Sequence, residues 1–149
     1  MESRITSAFS RLSSQNEFVL VEGTGHCGVG SIIDLDNARV AKLLGLDMVL
    51  VANGGLGSAF DELALNKLMC DREGVRVRGV IVNKVRPDKV EEIRSYLGRR
   101  LERAGMSLLG VVPYGEGLDR PAMYDYEKLF KTTVISGEAH RFSHFRRNE

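Results

Sequence analysis

Gly79-Val80-Ile81-Val82-Asn83-Lys84 is the stretch on which the fold turns. Its three consecutive β-branched residues do not alternate with polar ones, which is the pattern of a strand covered on both faces, as in a parallel sheet packed between helices. Three further runs of the same character stand at fairly even intervals around it: Phe18-Val19-Leu20-Val21, Met48-Val49-Leu50-Val51-Ala52 and Leu108-Leu109-Gly110-Val111-Val112. All four read as strands. The segments between them carry helical signals. Asp36 is placed to cap a helix with Val40, Ala41 and Leu44 on one face and Gly45 at its end, and Ser58 with Asp61 gives a capping-box-like start to a helix closed by Gly74. Pro87 suits a first helical turn; behind it Val90, Ile93, Leu97, Leu101 and Ala104 make an apolar stripe opposite a charged face that includes Arg94, Arg99 and Arg100. Ile5, Phe9 and Leu12 recur at helical spacing and predict an amphipathic helix over residues 3–14 that packs on the body of the domain. Strands alternating with helices predict an α/β fold with right-handed crossovers.

Composition agrees with this and narrows the function. The chain has 149 residues, 43% hydrophobic and 28% charged, with only 3 Pro, as expected of one soluble globular domain. Lys and Arg number 21 against 20 Asp and Glu, so the net charge of +1 supplies no global field to hold nucleic acid or an anionic membrane. No apolar run approaches the roughly 18 residues of a spanning helix. The 2 Cys are too few for a disulfide framework, which points to a reducing, cytoplasmic setting; Arg4, Arg11 and the serines of residues 3–14 leave an organellar destination open. From Lys131 onward the periodicity fades. The expected division is therefore a domain over 1–130 and a peripheral or flexible tail over 131–149.

Ligands of an open parallel sheet bind at the carboxyl ends of its strands, so the residues after each run matter most. The first run continues Glu22-Gly23-Thr24-Gly25-His26-Cys27-Gly28-Val29-Gly30-Ser31, a loop whose glycines let backbone N–H groups come close to an anion. It admits three readings. Gly23, Gly25 and Gly28 fit G-x-G-x-x-G, but Ile32-Ile33-Asp34-Leu35 follows where a dinucleotide-binding turn enters its helix, and the next strand ends in Asn53 instead of an acidic ribose ligand. Gly25 and Gly30 have the glycine spacing of a P-loop, but Ser31 stands where its Lys belongs. In the third reading Glu22 ends a strand of a P-loop-type nucleotidase and holds magnesium directly or through water. His26 beside Cys27 has the residue types of a base and nucleophile, but adjacent side chains diverge and no third group orients the imidazole. Cys70 reads as a core residue.

The third run ends in Asn83-Lys84. An Asn there can form paired hydrogen bonds with the edge of a purine while the aliphatic stem of Lys84 covers the ring. The related N-K-x-D motif of GTPases selects guanine through its Asp; position 86 here is Arg86, so adenine is the expected base. The fourth run ends in Pro113-Tyr114, where a backbone wall beside the base would lie. A further loop with Gly117, Asp119 and Arg120 follows on the same side.

Taken together, Phe18 to His26, Gly28 to Ser31, Asp61-Glu62-Leu63-Ala64-Leu65-Asn66, Gly79 to Val85 and Leu109 to Tyr114 resemble, in order and spacing, the dethiobiotin-synthetase-like P-loop ATPases. That family includes the amidases of cobyrinic acid and the N-terminal domain of large phosphotransacetylases. The resemblance covers about residues 3–130. It implies a three-layer parallel sheet of P-loop NTPase type with helices on both faces, Glu22 as a magnesium ligand, Gly23, Thr24 and Gly25 near the phosphates or acceptor, Asn83 and Lys84 at the adenine, and Pro113 beside the base. The family's first strand and its Lys-containing loop have no counterpart in these residues. With them go the groups that hold the β- and γ-phosphates. The expectation is an adenine-nucleotide-binding portion of a Mg-ATP-dependent ligase-like or amidase-type domain, with an incomplete ATP site, no catalytic residue of its own and no turnover alone. The alternative is a non-catalytic nucleotide-sensing or interaction module. The missing strand also implies a sheet edge that takes up a missing segment, a partner chain or a second copy.

Overall fold

The structure is a computed structural model of the chain and describes residues 1–115 and 121–144. It forms two compact units, Met1–Pro113 and Tyr114–Glu149.

The first unit runs α1 (Glu2–Gln15), α2 (Asn37–Leu44), β1 (Met48–Asn53), α3 (Gly57–Glu73), β2 (Val77–Val85), α4 (Val90–Arg103) and β3 (Leu108–Pro113), with short 3-10 turns at Ser31–Ile33 and Pro87–Lys89. The three strands form one parallel sheet in the order β1-β2-β3. This is an α/β fold of P-loop NTPase type, parallel strands flanked by helices. Leu50 pairs with Val80 and Ala52 with Val82, and these side chains form one core with Ala59, Leu63 and Cys70 of α3 and Ile93, Leu97 and Leu101 of α4. On the other pleat of β1, Val49 and Val51 are 46% and 61% exposed. Asp47 sits at the amino end of β1 and pairs with Arg76, at 2.9 Å, and with Arg78; the two guanidiniums hold its carboxyl below the usual range.

Local chemistry explains the helix boundaries. Asp36 caps α2 by accepting the backbone N–H of Arg39 at 3.0 Å, and Gly45 ends it in the left-handed region. Gly74 ends α3 in the same way. The start of α3 differs from the Ser58 cap expected from sequence. The helix begins at Gly57 with Leu56 before it and no side-chain cap, so Ser58 already lies inside the first turn. The α4 stripe is as read, with Ile93, Leu97 and Leu101 buried. Its charged face is exposed at Arg94, Arg99, Arg100, Glu102 and Arg103, and the Arg100 guanidinium also lies 4.5 Å from the centre of the Phe60 ring. The predicted α1 forms but buries none of its residues; it meets α2, and Glu2 pairs with Arg39 at 3.5 Å.

The first apolar run is the main correction. Phe18-Val19-Leu20-Val21 joins no sheet, and Phe18 and Leu20 are 80% and 83% exposed. A strand exists only where a neighbour completes its hydrogen-bond ladder. This run makes no ladder with the described strands and stays outside the sheet, although the outer edge of β1 is unpaired.

In the second unit Asp125 accepts the Ala122 N–H at 2.7 Å at the start of α5 (Met123–Phe130). The segment that follows folds back on α5: Glu127, 9% exposed, accepts the N–H of Val134 at 2.6 Å and the Nε–H of Arg141, and Tyr124 packs on Phe142 with ring centres 4.9 Å apart. Among the described residues no helix is long and apolar enough to cross a membrane.

Candidate functional site

The carboxyl end of the central strand carries the densest set of the residues singled out from sequence. Asn83 of β2 stands in register with Asn53 of β1. The N–H of Gly54 donates to the Asn83 carbonyl at 2.6 Å, and a Cβ at Gly54 would stand 2.8 Å from the Val85 Cα, so the loop after β1 lies directly on the end of β2. The Asn83 side-chain oxygen accepts the Lys84 N–H at 2.9 Å. Lys84 itself has φ of 56°, a left-handed conformation that is uncommon outside glycine and concentrates at functional positions. Among the described residues the Asn83 side-chain nitrogen makes no hydrogen bond, and its oxygen keeps a second lone pair. Pro113 pairs with Val85 and is exposed. The fold thus brings Asn83, Lys84 and Pro113 to one sheet edge.

The glycine loop is anchored elsewhere. The Asn37 side-chain nitrogen donates to the carbonyls of Thr24 and His26, each at 2.9 Å, and a Cβ at Gly23 would come within 2.9 Å of that side chain. The Cys27 N–H donates to Asn66 of α3 at 2.8 Å. Asn66 lies nine residues into α3 from Gly57, roughly 14 Å along the axis from the helix start that follows β1. Several of the loop's amides are committed internally: Gly28 to His26 Nδ1 at 3.1 Å, Val29 to the His26 carbonyl at 3.1 Å and Ser31 to the Gly28 carbonyl at 3.2 Å. An anion cradle over the whole loop is therefore not what it offers, and the exposed Gly23, Thr24 and Gly25 carry what remains. Glu22 is exposed beside them. No described hydrogen bond joins Glu22 to Gly25 with the Asn83 edge.

His26 and Cys27 do not act as base and nucleophile in this geometry. The imidazole faces its own backbone, and Cys27, 3% exposed, has its Sγ 3.7 Å from Cys70 Sγ. The hydrogen bond with Cys70 and burial push the Cys27 thiol up. Cys70 is fully buried, as read.

Two cations escaped the sequence reading. A cleft of about 240 Å³ beside the Asn83 edge is lined by Gly54, Gly55 and Leu56, by Arg86 and Lys89, and by Glu92 and Ile93. Arg86 pairs with Asp88 at 2.8 Å and Lys89 with Glu92 at 2.6 Å, and the Glu92 hydrogen bond holds the Lys89 pKa above its usual value. The signal was Arg86 itself, read in sequence only as an argument against guanine. A larger cleft of about 500 Å³ lies between α3 and α4 and includes Phe60, Tyr96 and Arg100. Among the described residues no group of three or more His, Cys, Asp or Glu side chains could hold a metal. Gly117, Asp119 and Arg120 lie outside the described residues.

Consecutive parallel strands with polar residues gathered at their carboxyl ends define the class, a P-loop NTPase-type α/β protein. Within it the chain belongs to the AAA domain family (AAA_26), whose profile matches residues 2–122. It is 36% identical over 128 residues to the cobyric acid synthase of Pelotomaculum thermopropionicum, an alignment covering 79% of this chain and 23% of that protein. It is 34% identical over 140 residues to the phosphate acetyltransferase of a Synechocystis strain, covering 90% of this chain and 20% of the relative. The chain thus spans about a fifth to a quarter of the length of such relatives. No solved structure matches it. The dethiobiotin-synthetase-like family read from the motifs is the one these relatives share.

Proposed function

We propose that this chain is the adenine-binding portion of a Mg-ATP-dependent domain of ligase or amidase type, and that it does not turn over ATP by itself. The observation that carries the reading is Asn83 at the end of the central strand, with a free amide nitrogen and a spare oxygen lone pair beside an exposed left-handed Lys84. That donor and acceptor suit the edge of adenine, Lys84 supplies an aliphatic cover for the ring, and Pro113 a wall beside it. Glu22 supplies one carboxylate, enough for a magnesium ion that takes its other ligands from phosphates and water. Gly23, Thr24 and Gly25 leave room for a phosphate or acceptor. Nucleotide, when bound, supplies the phosphoryl group; this chain's residues hold its base. The phosphate end fits poorly, because no Gly-Lys-Ser/Thr sequence is present and the loop amides from Cys27 to Val29 are already bonded. The cleft with Arg86 and Lys89 supports a site at this edge.

The test is calorimetric titration with ATP and GTP in the presence of magnesium. ATP binds in preference to GTP, and Asn83→Ala weakens ATP by about 1–3 kcal/mol through loss of the paired contact. Equal affinity for both nucleotides, or an unchanged Asn83→Ala, refutes the base assignment. Magnesium-dependent phosphate release that Glu22→Gln abolishes refutes the claim of no turnover. A non-catalytic interaction module is the second reading, favoured by the exposed Phe18, Leu20, Val49 and Val51.

A further inference from the structure

Cys27 and Cys70 are the buried nucleophilic groups that the nucleotide reading leaves unused. They come from different elements, 43 residues apart in sequence, and their sulfurs are 3.7 Å apart. Cys27 is the one buried residue in a run of otherwise exposed or half-buried loop positions from Val21 to Gly30, whereas Cys70 is fully buried on α3. The loop is held to α3 at this point by one further bond, from the Cys27 N–H to Asn66. Lifting the loop would therefore uncover both sulfurs without unfolding the helix.

We propose that Cys27 and Cys70 form an oxidative cross-link site, at which a peroxide joins the glycine loop covalently to α3. A disulfide needs its sulfurs at about 2.05 Å, so the pair has to close by less than the radius of one sulfur atom, a movement that a side-chain rotation and a small loop shift supply. The chemistry balances with hydrogen peroxide alone. The Cys70 sulfur attacks one peroxide oxygen, the O–O bond breaks, and the departing hydroxide takes the thiol proton to leave as water. The resulting sulfenic acid is attacked by the Cys27 sulfur; the S–S bond forms, the S–O bond breaks, and the Cys27 proton leaves with that oxygen as a second water. Two thiols are oxidised and one peroxide is reduced. The balance is the same if the Cys27 sulfur attacks first and Cys70 resolves, because the 3.7 Å separation brings the second sulfur to the sulfenic acid in either order. Cys27 is carried by the loop and Cys70 by α3, so either order joins the two elements. The Met48 thioether, 3.7 Å from Cys70 Sγ, lines the same pocket and offers no second thiol to compete.

The consequence is a loop with two states. Reduced, residues from Glu22 to Ser31 are held by hydrogen bonds through Asn37 and Asn66; oxidised, they are tethered. The inference does not depend on nucleotide binding, and neither does its test. The intact chain is treated with hydrogen peroxide at low micromolar protein concentration and analysed by intact mass and non-reducing peptide mapping. The expected product is a monomer lighter by two hydrogens, with one cross-linked peptide joining Cys27 and Cys70, restored by a thiol reductant. Its melting temperature lies above that of the reduced chain by on the order of 10 °C, as closing a loop of this length in the unfolded state implies. Cys27→Ser and Cys70→Ala, each checked for folding by circular dichroism, give no such product. Both thiols persisting unmodified while a small free thiol in the same tube is consumed overturns the proposal. So does accumulation of sulfinic or sulfonic acid at either position without the cross-link, or oxidation that yields only dimers.

Discussion

Gly30 sits at φ of 100°, and a Cβ placed on it would stand 2.3 Å from the Leu35 carbonyl oxygen. Its glycine is thus required by backbone sterics, whatever the loop binds. Gly30→Ala is expected to destabilise the unit Met1–Pro113 by about 1–3 kcal/mol, read as a lower urea midpoint; an unchanged midpoint would show that the loop does not hold this conformation. This is also where sequence reading of the site ran short. Asn83-Lys84 was legible because a strand end next to a polar pair is a local signal. Asn37 and Asn66, which decide where the glycine loop lies, bond backbone atoms 11 and 39 residues away and leave no periodic trace. Glu127 is another such residue. The Val134 N–H, and then Arg141, hold its carboxyl below the ordinary 4.5 against burial. A depressed carboxylate stabilises the fold fully above its unfolded value, and that stabilisation is lost as pH falls through the folded one. In thermal melts across pH, Glu127→Gln should therefore melt below wild type near neutrality, with the gap closing on acidification below about pH 4.5. A gap that stays constant across that window would exclude the linkage.

Among the elements, α4 concentrates its contribution in one stripe. Leu101 is completely buried in the core that also holds Val80, so Leu101→Ala is expected to cost about 2–5 kcal/mol in chemical denaturation, through lost burial and the cavity left behind. A loss below about 1 kcal/mol would mean that α4 does not pack as described. Helices of this kind were legible because their signals are local: Asp36 three residues before Arg39, Gly45 and Gly74 at the ends, apolar residues at helical spacing. The start of α3 was misread because Ser58 and Asp61 have the right spacing for a cap, while the chain turns into the helix one residue earlier, at Gly57. Strands are legible only as candidates. Phe18 to Val21 and Val80 to Val82 look alike as sequence, and what separates them is a neighbour supplied from elsewhere.

At the scale of the whole molecule, the outer edge of β1 carries no partner strand in the described sheet, and Phe18, Leu20 and Ile32 are 80%, 83% and 97% exposed near the sequence where a strand was expected. Unpaired edges and contiguous apolar surface promote association. The chain is therefore expected to self-associate, or to need a partner segment for solubility, in size-exclusion chromatography with light scattering at low micromolar concentration. A cooperatively folding monomer would refute this. The strand order bears on how the molecule is made. Because β1, β2 and β3 lie side by side in the order of synthesis, β2 and β3 each find their neighbour already made. Among the described strands none has to be threaded between two that have met, and α3 and α4 are each complete before the next strand pairs. Because α4 packs on β3, the second helix settles only once the third strand has been made, so the order of translation is itself a workable order of assembly for these elements.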